Sequence, residues 1–395
     1  MQEFVMSVDV NVHPPIEFEQ DDMSNVVMQT GMEFVTIVQI FHDKVLMKDS
    51  LAIGPLRTFY VVGCGLQHFF GTVGIPFLRV VNNLPSKMGI QIAPYVREKS
   101  PMVFFNFAIS ISTSPEARQI AGPTTPSQIK NFTLSQHLQE IHGRVTSMIT
   151  GLPSIASDIL SPALGTIYGV ACDLVTPLFQ TMLDHLESCI LQIHDPNFGT
   201  LSMDATMDNN ASPYMEELQE SILHFWIEFL SWLLPSSGAI SVEAETICTR
   251  LVRSMASRVL IFFIRHASLV RPLSESGKLR MARDMAELEL VVGQHLFPVE
   301  QLGAPYRALR AFWPVIFLET SQMGESPLLQ DLPPSVILHH LYSRGPKDLQ
   351  SPLQRNKLTP VQYSLWMDSQ GEDQIWKGIK STLDDYAAKV RARGD

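Results

Sequence analysis

The stretch from Arg258 to Ser321 constrains the fold of this chain more than any other. It holds the longest helical pattern in the sequence, together with clear start and stop signals. Its apolar side chains recur every three to four residues and so share one face of an α-helix. They are Met281, Met285, Leu288, Val292 and Leu296. We therefore predict a buried helix from about Leu279 to Leu296.

The segments on either side predict further helices packed against this one. Val259 to Ile264 is apolar on every side, which is typical of a helix at the centre of a bundle. Pro272 separates this segment from the central helix, so the two are expected to form a helical hairpin. Pro298 is expected to end the central helix. A short helix should follow through Leu309, and Pro314 should interrupt the next apolar run.

Helix signals recur throughout the chain from about residue 115, where no convincing strand pattern is found. Thr125-Pro126-Ser127-Gln128 places Thr at the N-cap, Pro at the first helical position and Gln at the third, which predicts a capping box. The same chemistry recurs at Ser351 and Thr359. Three further stripes at helical spacing are expected to be buried: Leu134, Leu138, Ile141, Val145 and Met148; Leu178, Met182, Leu186, Cys189 and Ile193; and Tyr214, Leu218, Ile222, Phe225, Phe229 and Leu233.

Prolines and polar residues predict where these helices are interrupted. The segment from Ile155 to Ile193 is expected to break or kink at Pro162 and Pro177. His194 to Ser212 is expected to be a surface loop, and Ser241 to cap a later helix. The last helix, from about Glu372, should bury a stripe consisting of Ile375, Ile379, Leu383, Tyr386 and Val390.

Residues 1–114 differ from residues 115–395, and we treat the two ranges as separate parts of the chain. Proline and glycine punctuate the first part, and no hydrophobic period is sustained there. We predict that it is an irregular, poorly specified segment and not an independent domain. Within it, Phe59 to Leu78 has no charged residue and is long enough to span a bilayer, although it contains Gln67-His68 and Pro76.

Composition limits the possible classes of function. The chain has 395 residues, of which 45% are hydrophobic and 17% charged, so it can bury a sizeable core. The net charge of −11 and the lack of a basic run disfavour nucleic-acid binding. The four cysteines form no CxxC pair, which indicates reduced, buried thiols in an intracellular protein. The N-terminus has no apolar core of a secretory signal.

The histidines do not form a metal-binding pattern. His137 and His142 are five residues apart and so diverge by about 140° on a helix. The HExxH pattern of zinc proteases is absent. We therefore expect His137 to be solvated or to cap a helix. His339 and His340 are adjacent and should point in different directions.

Other motifs that carry chemistry are incomplete. Ser276-Gly277-Lys278 resembles the end of a phosphate-binding loop, but the upstream glycine is missing and Leu279 replaces the hydroxyl residue. Glu287 and Glu289 are expected on a mostly solvated face. We therefore predict no catalytic residue, no cofactor and no metal ligand, and we assign no residue to partner binding. The tryptophans are expected to be core residues, or interface anchors where exposed; they are Trp226, Trp232, Trp313, Trp366 and Trp376.

Several phrases of the sequence together resemble, in the same order, the sequences of one known family. They are RQIAGP from Arg118, NFTLSQHLQEIH from Asn131, MASRVLIFFIRHASLVRPLSESGKLRMARDMAELE from Met255, FPVEQLGAPYRALRAF from Phe297, LPPSVILHHLYSRGP from Leu332 and PVQYSLW from Pro360. This region, roughly Pro115 to Asp395, resembles the C-terminal half of subunit five of the conserved oligomeric Golgi complex, most of all its plant members. The resemblance implies an all-α fold of stacked helical bundles forming an elongated rod.

The resemblance also implies a function. It indicates a non-enzymatic vesicle-tethering subunit in retrograde intra-Golgi transport, located peripherally on the cytosolic face of Golgi membranes. Its expected partners are sister subunits, chiefly the seventh, and vesicle-fusion proteins. The alternative from the residues themselves is a membrane-anchored helical scaffold that uses Phe59 to Leu78 as a span.

The chain departs from the family at both ends. Residues 1–114 do not resemble the family's middle region, and the family's N-terminal coiled-coil segment is not found. Family members usually continue beyond the final Arg393-Gly394-Asp395. We therefore expect a shortened version of the subunit.

Overall fold

The computed structural model describes residues 115–150, 154–195, 198, 211–231, 245–323, 326–346 and 348–393. These residues form α-helices, short 3-10 turns and one π-helical turn, and no strand occurs among them. The all-α prediction is therefore confirmed for this part of the chain. The irregular segment at residues 1–114 and the candidate span from Phe59 to Leu78 lie outside the described residues, and both stay predictions.

The α-helices of the described ranges follow one another along the chain. They are α1 (Pro126–Ile149), α2 (Ser154–Leu191), α3 (Pro213–Phe225), α4 (Ile247–Ala267), α5 (Glu275–His295), α6 (Ala304–Val315), α7 (Thr320–Met323), α8 (Pro334–Ser343), α9 (Pro352–Arg355), α10 (Pro360–Ser369) and α11 (Glu372–Arg393). The chain divides into two compact units. The first unit is Met1–Thr181 with Ile240–Cys248, and the second unit is Met182–Ala239 with Thr249–Asp395.

In the first unit, α1 begins at the predicted capping box. The Thr125 hydroxyl accepts from the Gln128 backbone N–H at 3.2 Å, and the Gln128 side-chain oxygen accepts from the Thr125 N–H at 2.8 Å. Leu134, Leu138 and Val145 are buried as predicted. The side chains of the other two members of this stripe, Ile141 and Met148, lie outside the described set. Local capping and an apolar seam thus account for this helix.

The sequence predicted that α2 breaks or kinks at Pro162 and Pro177; the break is wrong, and the kink stays a prediction. Helix α2 is assigned as one helix through both prolines. Each proline removes one backbone donor, but the residues around Pro177, including Val175 and Leu178, are buried. Packing of these side chains outweighs the lost hydrogen bond, so the helix continues. The predicted stripe from Leu178 to Ile193 is buried at every position.

The predicted stripe of α3 is buried from Tyr214 to Phe229. After Phe225 the chain makes a π-helical turn, Trp226–Leu230, in which the Ser231 N–H donates to the Trp226 carbonyl at 2.9 Å. The remaining member of the stripe, Leu233, and the predicted cap Ser241 lie outside the described residues, as does most of the expected surface loop from His194 to Ser212. Within that range Phe198 and Ser212 are buried, so the predicted surface position is wrong for these two residues.

The central helix α5 follows α4 after Pro272, so the predicted order of two helices holds. Met285, Leu288 and Val292 are 0% exposed, which confirms the buried face. The helix ends at His295, before Pro298 as predicted. Its N-terminus is capped by Ser274, whose hydroxyl accepts from the Gly277 N–H at 3.1 Å.

A short helix through Leu309 was expected, with Pro314 interrupting the next apolar run, but α6 continues past Leu309, passes through Pro314 and ends at Val315. The position explains this difference. Pro314 is the second-last residue of the helix and is exposed, so its ring is not forced into the core and only one late backbone bond is lost. The Ile316 N–H still donates to the Phe312 carbonyl at 3.2 Å, which closes the last turn.

The C-terminal helices share an apolar cluster in the second unit. Its buried members are Tyr342, Leu349, Tyr363, Met367, Ile375 and Ile379. Capping boxes at Ser351 and Thr359 begin α9 and α10 as predicted. Of the stripe predicted on α11, Leu383 and Tyr386 pack only partly buried against this cluster, and Val390 is half-buried. The last helix is therefore anchored by its N-terminal half.

Candidate docking surface

Helices α3 and α5 of the second unit pack side by side and run in the same direction. Tyr214 near the start of α3 contacts Asp284, and Gln219 Nε2 donates to Glu287 Oε2 at 2.8 Å. Further along, the rings of Trp226 and His295 lie 6.1 Å apart. These contacts follow the same order along the two helices, from the start of each to its end. The helices therefore lie parallel and form one two-helix surface.

A buried carboxylate holds the start of this pair together. Asp284 accepts from the Ser212 N–H at 3.1 Å, the Ser212 hydroxyl at 2.7 Å and the Tyr214 hydroxyl at 2.6 Å. Arg280 Nε donates in turn to the Ser212 hydroxyl at 2.9 Å. Burial raises the pKa of Asp284, and the hydrogen bonds from Tyr214 and Ser212 act in the opposite direction. The Ser212 side chain therefore donates its hydrogen bond to Asp284 and does not cap α3.

Sequence reasoning missed Asp284, although a signal was present. Asp284 lies three residues after Met281 and four before Leu288, which places it within the stripe predicted to be buried. A carboxylate at such a position requires hydrogen-bond donors from another element. The sequence did not reveal that Ser212 and Tyr214, about seventy residues earlier, supply them.

The solvent side of the pair carries exposed apolar side chains. Leu223 is 42% exposed, Ile227 57% and Leu290 52%. Leu223 lies one turn after Gln219, and Leu290 lies three residues after Glu287. Because Gln219 and Glu287 meet across the two helices, Leu223 and Leu290 flank the same groove. We call Leu223, Ile227 and Leu290 the α3–α5 face.

The π-helical turn bears directly on this face, because Ile227 is its second residue. A π turn inserts one residue into the helical ladder and changes the direction of the side chains after it. Such turns occur frequently at functional sites. In this chain the turn leaves Ile227 exposed while Phe229 and Leu230 are buried.

The α3 side of the α3–α5 face is acidic. Helix α3 and the π turn contain Glu216, Glu217, Glu220 and Glu228 and no lysine or arginine. Glu216 and Glu220 are exposed and lie on the side of α3 that carries Leu223. An apolar strip with carboxylates beside it is complementary to a helix that has an apolar stripe and basic flanks.

The histidines and the lysine of the incomplete motifs are not brought together. His137 is half-buried on α1, and His142 packs on the ring of Tyr168 with the ring centres 5.1 Å apart. Lys278 Nζ pairs with Glu275 Oε1 at 2.6 Å. Within the described ranges, no group of three or more His, Cys, Asp or Glu side chains could hold a metal ion.

Gly277 of the phosphate-loop-like triplet has a packing role. A Cβ added at Gly277 would lie 2.2 Å from the Phe198 carbonyl oxygen. Ser274 donates to the same oxygen from its N–H at 3.2 Å and from its hydroxyl at 2.8 Å. The glycine therefore lets the backbone at Phe198 approach the first turn of α5.

The carboxylates are less exposed, and the tryptophans less buried, than expected. Glu287 and Glu289 are both half-buried and bonded, Glu289 to Tyr306 at 2.8 Å and to Arg310 at 3.3 Å. The described tryptophans are also half-buried, and Trp232 lies outside the described residues. The half-buried ones are Trp226, Trp313, Trp366 and Trp376.

Buried histidines form a second feature that the sequence did not predict. His194 Nε2 lies 2.9 Å from His266 Nδ1, and His266 Nε2 lies 2.5 Å from the Ser364 hydroxyl. Burial lowers the pKa of His194 to about 4 and that of His266 well below its ordinary value. Burial likewise lowers the pKa values of His339 and His340 to about 3. These rings are neutral near pH 7.

Comparison with known proteins gives the family. No family model matches the chain. Conserved oligomeric Golgi complex subunit 5 of Arabidopsis thaliana is 72% identical to it over 286 residues, which is 72% of this chain. The matched part of the chain belongs to the family of conserved oligomeric Golgi complex subunit 5. The mouse subunit 5 is 32% identical over 289 residues, and the Dictyostelium discoideum subunit 5 is 26% identical over 202 residues.

The match covers only part of the subunit 5 relatives. The chain spans 34% of the length of the Arabidopsis protein and 34% of the mouse protein. In the part of the chain that the structure describes, no helix is both long and apolar enough to cross a membrane.

Proposed function

We propose that the chain is a subunit of a multisubunit Golgi vesicle-tethering complex and acts in retrograde intra-Golgi transport by docking to other proteins. Its family membership supports this proposal, because the relatives are named as subunits of an oligomeric Golgi complex. Its activity is binding and not catalysis. Its place is peripheral, on the cytosolic face of Golgi membranes.

The single observation that carries the docking mechanism is the α3–α5 face. Three large apolar side chains at 42%, 57% and 52% exposure lie on one two-helix surface. Burying such side chains in a complex contributes about 25 cal/mol for each Å² of apolar surface removed from water. The occupant is an amphipathic helix of a sister subunit, chiefly the seventh, whose basic residues meet Glu216 and Glu220. Vesicle-fusion proteins are further partners of the complex.

The test is co-purification of the full chain with the sister subunits, using charge substitutions on this face. Leu223→Asp combined with Ile227→Asp should abolish recovery of the seventh subunit while the far-ultraviolet circular dichroism and Tm stay unchanged. Leu365→Asp is the matched control, because Leu365 is 66% exposed on α10 of the same unit. Equal recovery of the seventh subunit by the double variant and the control would refute this docking face.

Membrane association is tested separately by carbonate extraction of Golgi membranes. A peripheral subunit is released into the supernatant. Retention in the membrane pellet would refute the peripheral location and favour a span at Phe59 to Leu78.

A further inference from the structure

The exposed side of α3 changes in character along its length. Four of its residues share one side of the helix, because they follow one another at spacings of four, three and four. They are Glu216, Glu220, Leu223 and Ile227. All four are exposed. This side of α3 is therefore acidic at its start and apolar at its end.

Helix α5 has the same order of acidic and apolar positions alongside α3. Gln219 Nε2 donates to Glu287 Oε2 at 2.8 Å, which places the Glu287 carboxylate in the groove between the two helices. Leu290, at 52% exposure, follows Glu287 by three residues and so lies one turn further along, level with the apolar part of α3. The groove thus has an acidic end and an apolar end.

Basic side chains also lie at the acidic end. Arg280 Nε donates to the Ser212 hydroxyl, which itself donates to Asp284, and Arg283 is half-buried one turn further along α5. Among the described residues of this end, these two arginines are outnumbered by four acidic side chains. Those are Glu216, Glu220, Asp284 and Glu287. Glu216 and Glu220 are the exposed ones, so they are available to a partner.

The two ends of the groove also differ in helix polarity. Helix α3 begins at Pro213, in the turn that contains Glu216. Helix α5 ends at His295, whose ring lies 6.1 Å from that of Trp226, the neighbour of Ile227. A helix has a partial positive charge at its N-terminus and a partial negative charge at its C-terminus. A third helix lying antiparallel to this pair therefore brings its negative end to the start of α3 and its positive end to the end of α5.

We propose that the partner helix docks in one direction only, antiparallel to α3 and α5, with its basic residues on the C-terminal side of its apolar ones. It has apolar residues at positions i and i+4, which pack on Ile227 and on Leu223. It has lysine or arginine at i+7 and i+11, which pair with Glu220 and Glu216. These spacings mirror those of α3, because helices side by side rise by the same amount per residue. The inference rests on the proposed function, since it takes the α3–α5 face as the docking site.

The first test compares two synthetic peptides in binding to the full chain, measured by fluorescence anisotropy. The forward peptide has leucine at i and i+4 and arginine at i+7 and i+11 on an alanine and glutamine background, and the reversed peptide has the same residues in the opposite order. A hydrocarbon staple on the other side gives both the same helicity, because short peptides are otherwise only partly helical. We expect the forward peptide to bind at least about threefold more tightly. Equal binding, or tighter binding of the reversed peptide, would overturn the proposal.

Photo-crosslinking measures the direction itself. A diazirine is placed one residue before the first leucine of the forward peptide, and its crosslinks are mapped by mass spectrometry. Antiparallel docking predicts crosslinks at residues 226–231 or at the end of α5. Crosslinks at residues 211–216 would show parallel docking and refute the proposed direction.

Glu216→Lys combined with Glu220→Lys tests the charge contacts. This variant should bind the forward peptide at least about tenfold more weakly, and it should prefer a forward peptide with glutamate in place of both arginines. Glu300→Lys combined with Asp384→Lys is the matched control, because it changes the net charge equally at exposed positions outside the α3–α5 face. Its affinity should stay within about twofold of the parent chain. An equal loss in the control would indicate non-specific charge attraction and contradict the pairing.

These outcomes separate the direction of docking from the docking face itself. Loss of the seventh subunit from Leu223→Asp with Ile227→Asp, together with full recovery by Glu216→Lys with Glu220→Lys, would overturn the direction and leave the face standing. Failure of both peptides to bind at millimolar concentration would also overturn this inference. Recovery of the sister subunit would then still decide the proposed function.

Discussion

The two units bury different kinds of side chain. In the described residues of the first unit, the buried polar side chains are Gln128, Asn131 and Ser135, and none of them titrates. In the second unit, His266, Asp284, His339 and His340 are all buried. Both units have apolar helix seams, but in the described ranges only the second buries histidine and carboxylate side chains in its core. The difference teaches that helical packing alone does not determine how a unit responds to pH.

The largest expected effect follows from the buried histidines. Their pKa values are lowered in the folded state, to about 4 for His194 and about 3 for His339 and His340, from about 6.5 in the unfolded chain. The unfolded state thus binds more protons, so stability is present above pH 6.5 and is lost as pH falls below it. Each histidine contributes a slope of about 1.4 kcal/mol per pH unit in that window.

Neighbouring charges shift the histidine pKa values in both directions and so change the width of this pH window. Asp195 raises the pKa of His194. Arg265 and Arg258 act on His266, Arg265 on His339, and Arg344 and Lys278 on His340, and each lowers the histidine pKa further. The raised pKa of Asp284 works against the histidines, because its protonation in acid favours the folded state. The net effect is still acid destabilisation.

Hydrogen exchange followed by mass spectrometry measures this difference unit by unit. Between about pH 6.5 and 4.5, corrected for the intrinsic exchange rate, α8 should lose more protection than α1, where burial lowers the pKa of one histidine, His142. His339→Gln should reduce the pH slope of the second unit by about 1.4 kcal/mol per pH unit. Parallel loss of protection in α1 and α8 would break the comparison.

The next largest effect, the loss of stability when a buried leucine is truncated, should be equal in the two units. Leu288 in α5 and Leu138 in α1 are both 0% exposed, and truncation of either to alanine leaves a cavity. Each substitution should lower the free energy of unfolding by about 2–5 kcal/mol, measured by urea denaturation. Leu290→Ala, at 52% exposure, is the control and should change stability by less than about 0.5 kcal/mol. A loss near zero for Leu288→Ala would show that the core assignment of α5 is inverted.

A smaller effect should distinguish the polar contacts of the two units. Tyr214→Phe removes a hydroxyl that donates to the buried Asp284 carboxylate at 2.6 Å, and should cost about 1.5–3 kcal/mol. Ser135→Ala removes a neutral bond to the Ala171 carbonyl, also 2.6 Å long, and should cost about 0.5–1.5 kcal/mol. Chemical denaturation at pH 7 measures both values. A greater loss from Ser135→Ala would contradict the stronger role of the charged network.

Glycine substitutions provide the finest comparison. Gly277→Ala forces a Cβ against the Phe198 carbonyl, so the backbone must shift, and we expect a cost of about 1–3 kcal/mol. Gly143 in α1 has nothing within 4 Å of its added Cβ, so Gly143→Ala should stabilise by about 0.5–1 kcal/mol. Gly293→Ala, whose nearest contact is 3.6 Å away, is the control within α5. Thermal unfolding measures the sign of each change in stability. A Tm of Gly277→Ala equal to that of the parent chain would show that the backbone at Phe198 can shift at little cost in free energy.

The sequence by itself determined the helices that local interactions stabilise. The stripe through Met285, Leu288 and Val292, the capping box at Thr125 and the stop before Pro298 each depend on residues within a few positions of one another. Hydrophobic period, capping and proline chemistry act over that range, so they can be predicted from one sequence. Likewise, the family phrases indicated subunit five of the conserved oligomeric Golgi complex, and the comparisons confirm that family.

Only the tertiary structure decided which polar residues are buried and which apolar residues are exposed. Asp284 is satisfied by Ser212 and Tyr214, His266 meets His194, and Gly277 accommodates Phe198, all across more than sixty residues of chain. Ile227 is exposed in the π-helical turn, where Phe229 and Leu230 are buried. Packing also keeps α2 helical through Pro177, against its local preference. The physical reason is that burial and hydrogen-bond satisfaction depend on distant partners, and their free energy exceeds the local propensities that a sequence displays.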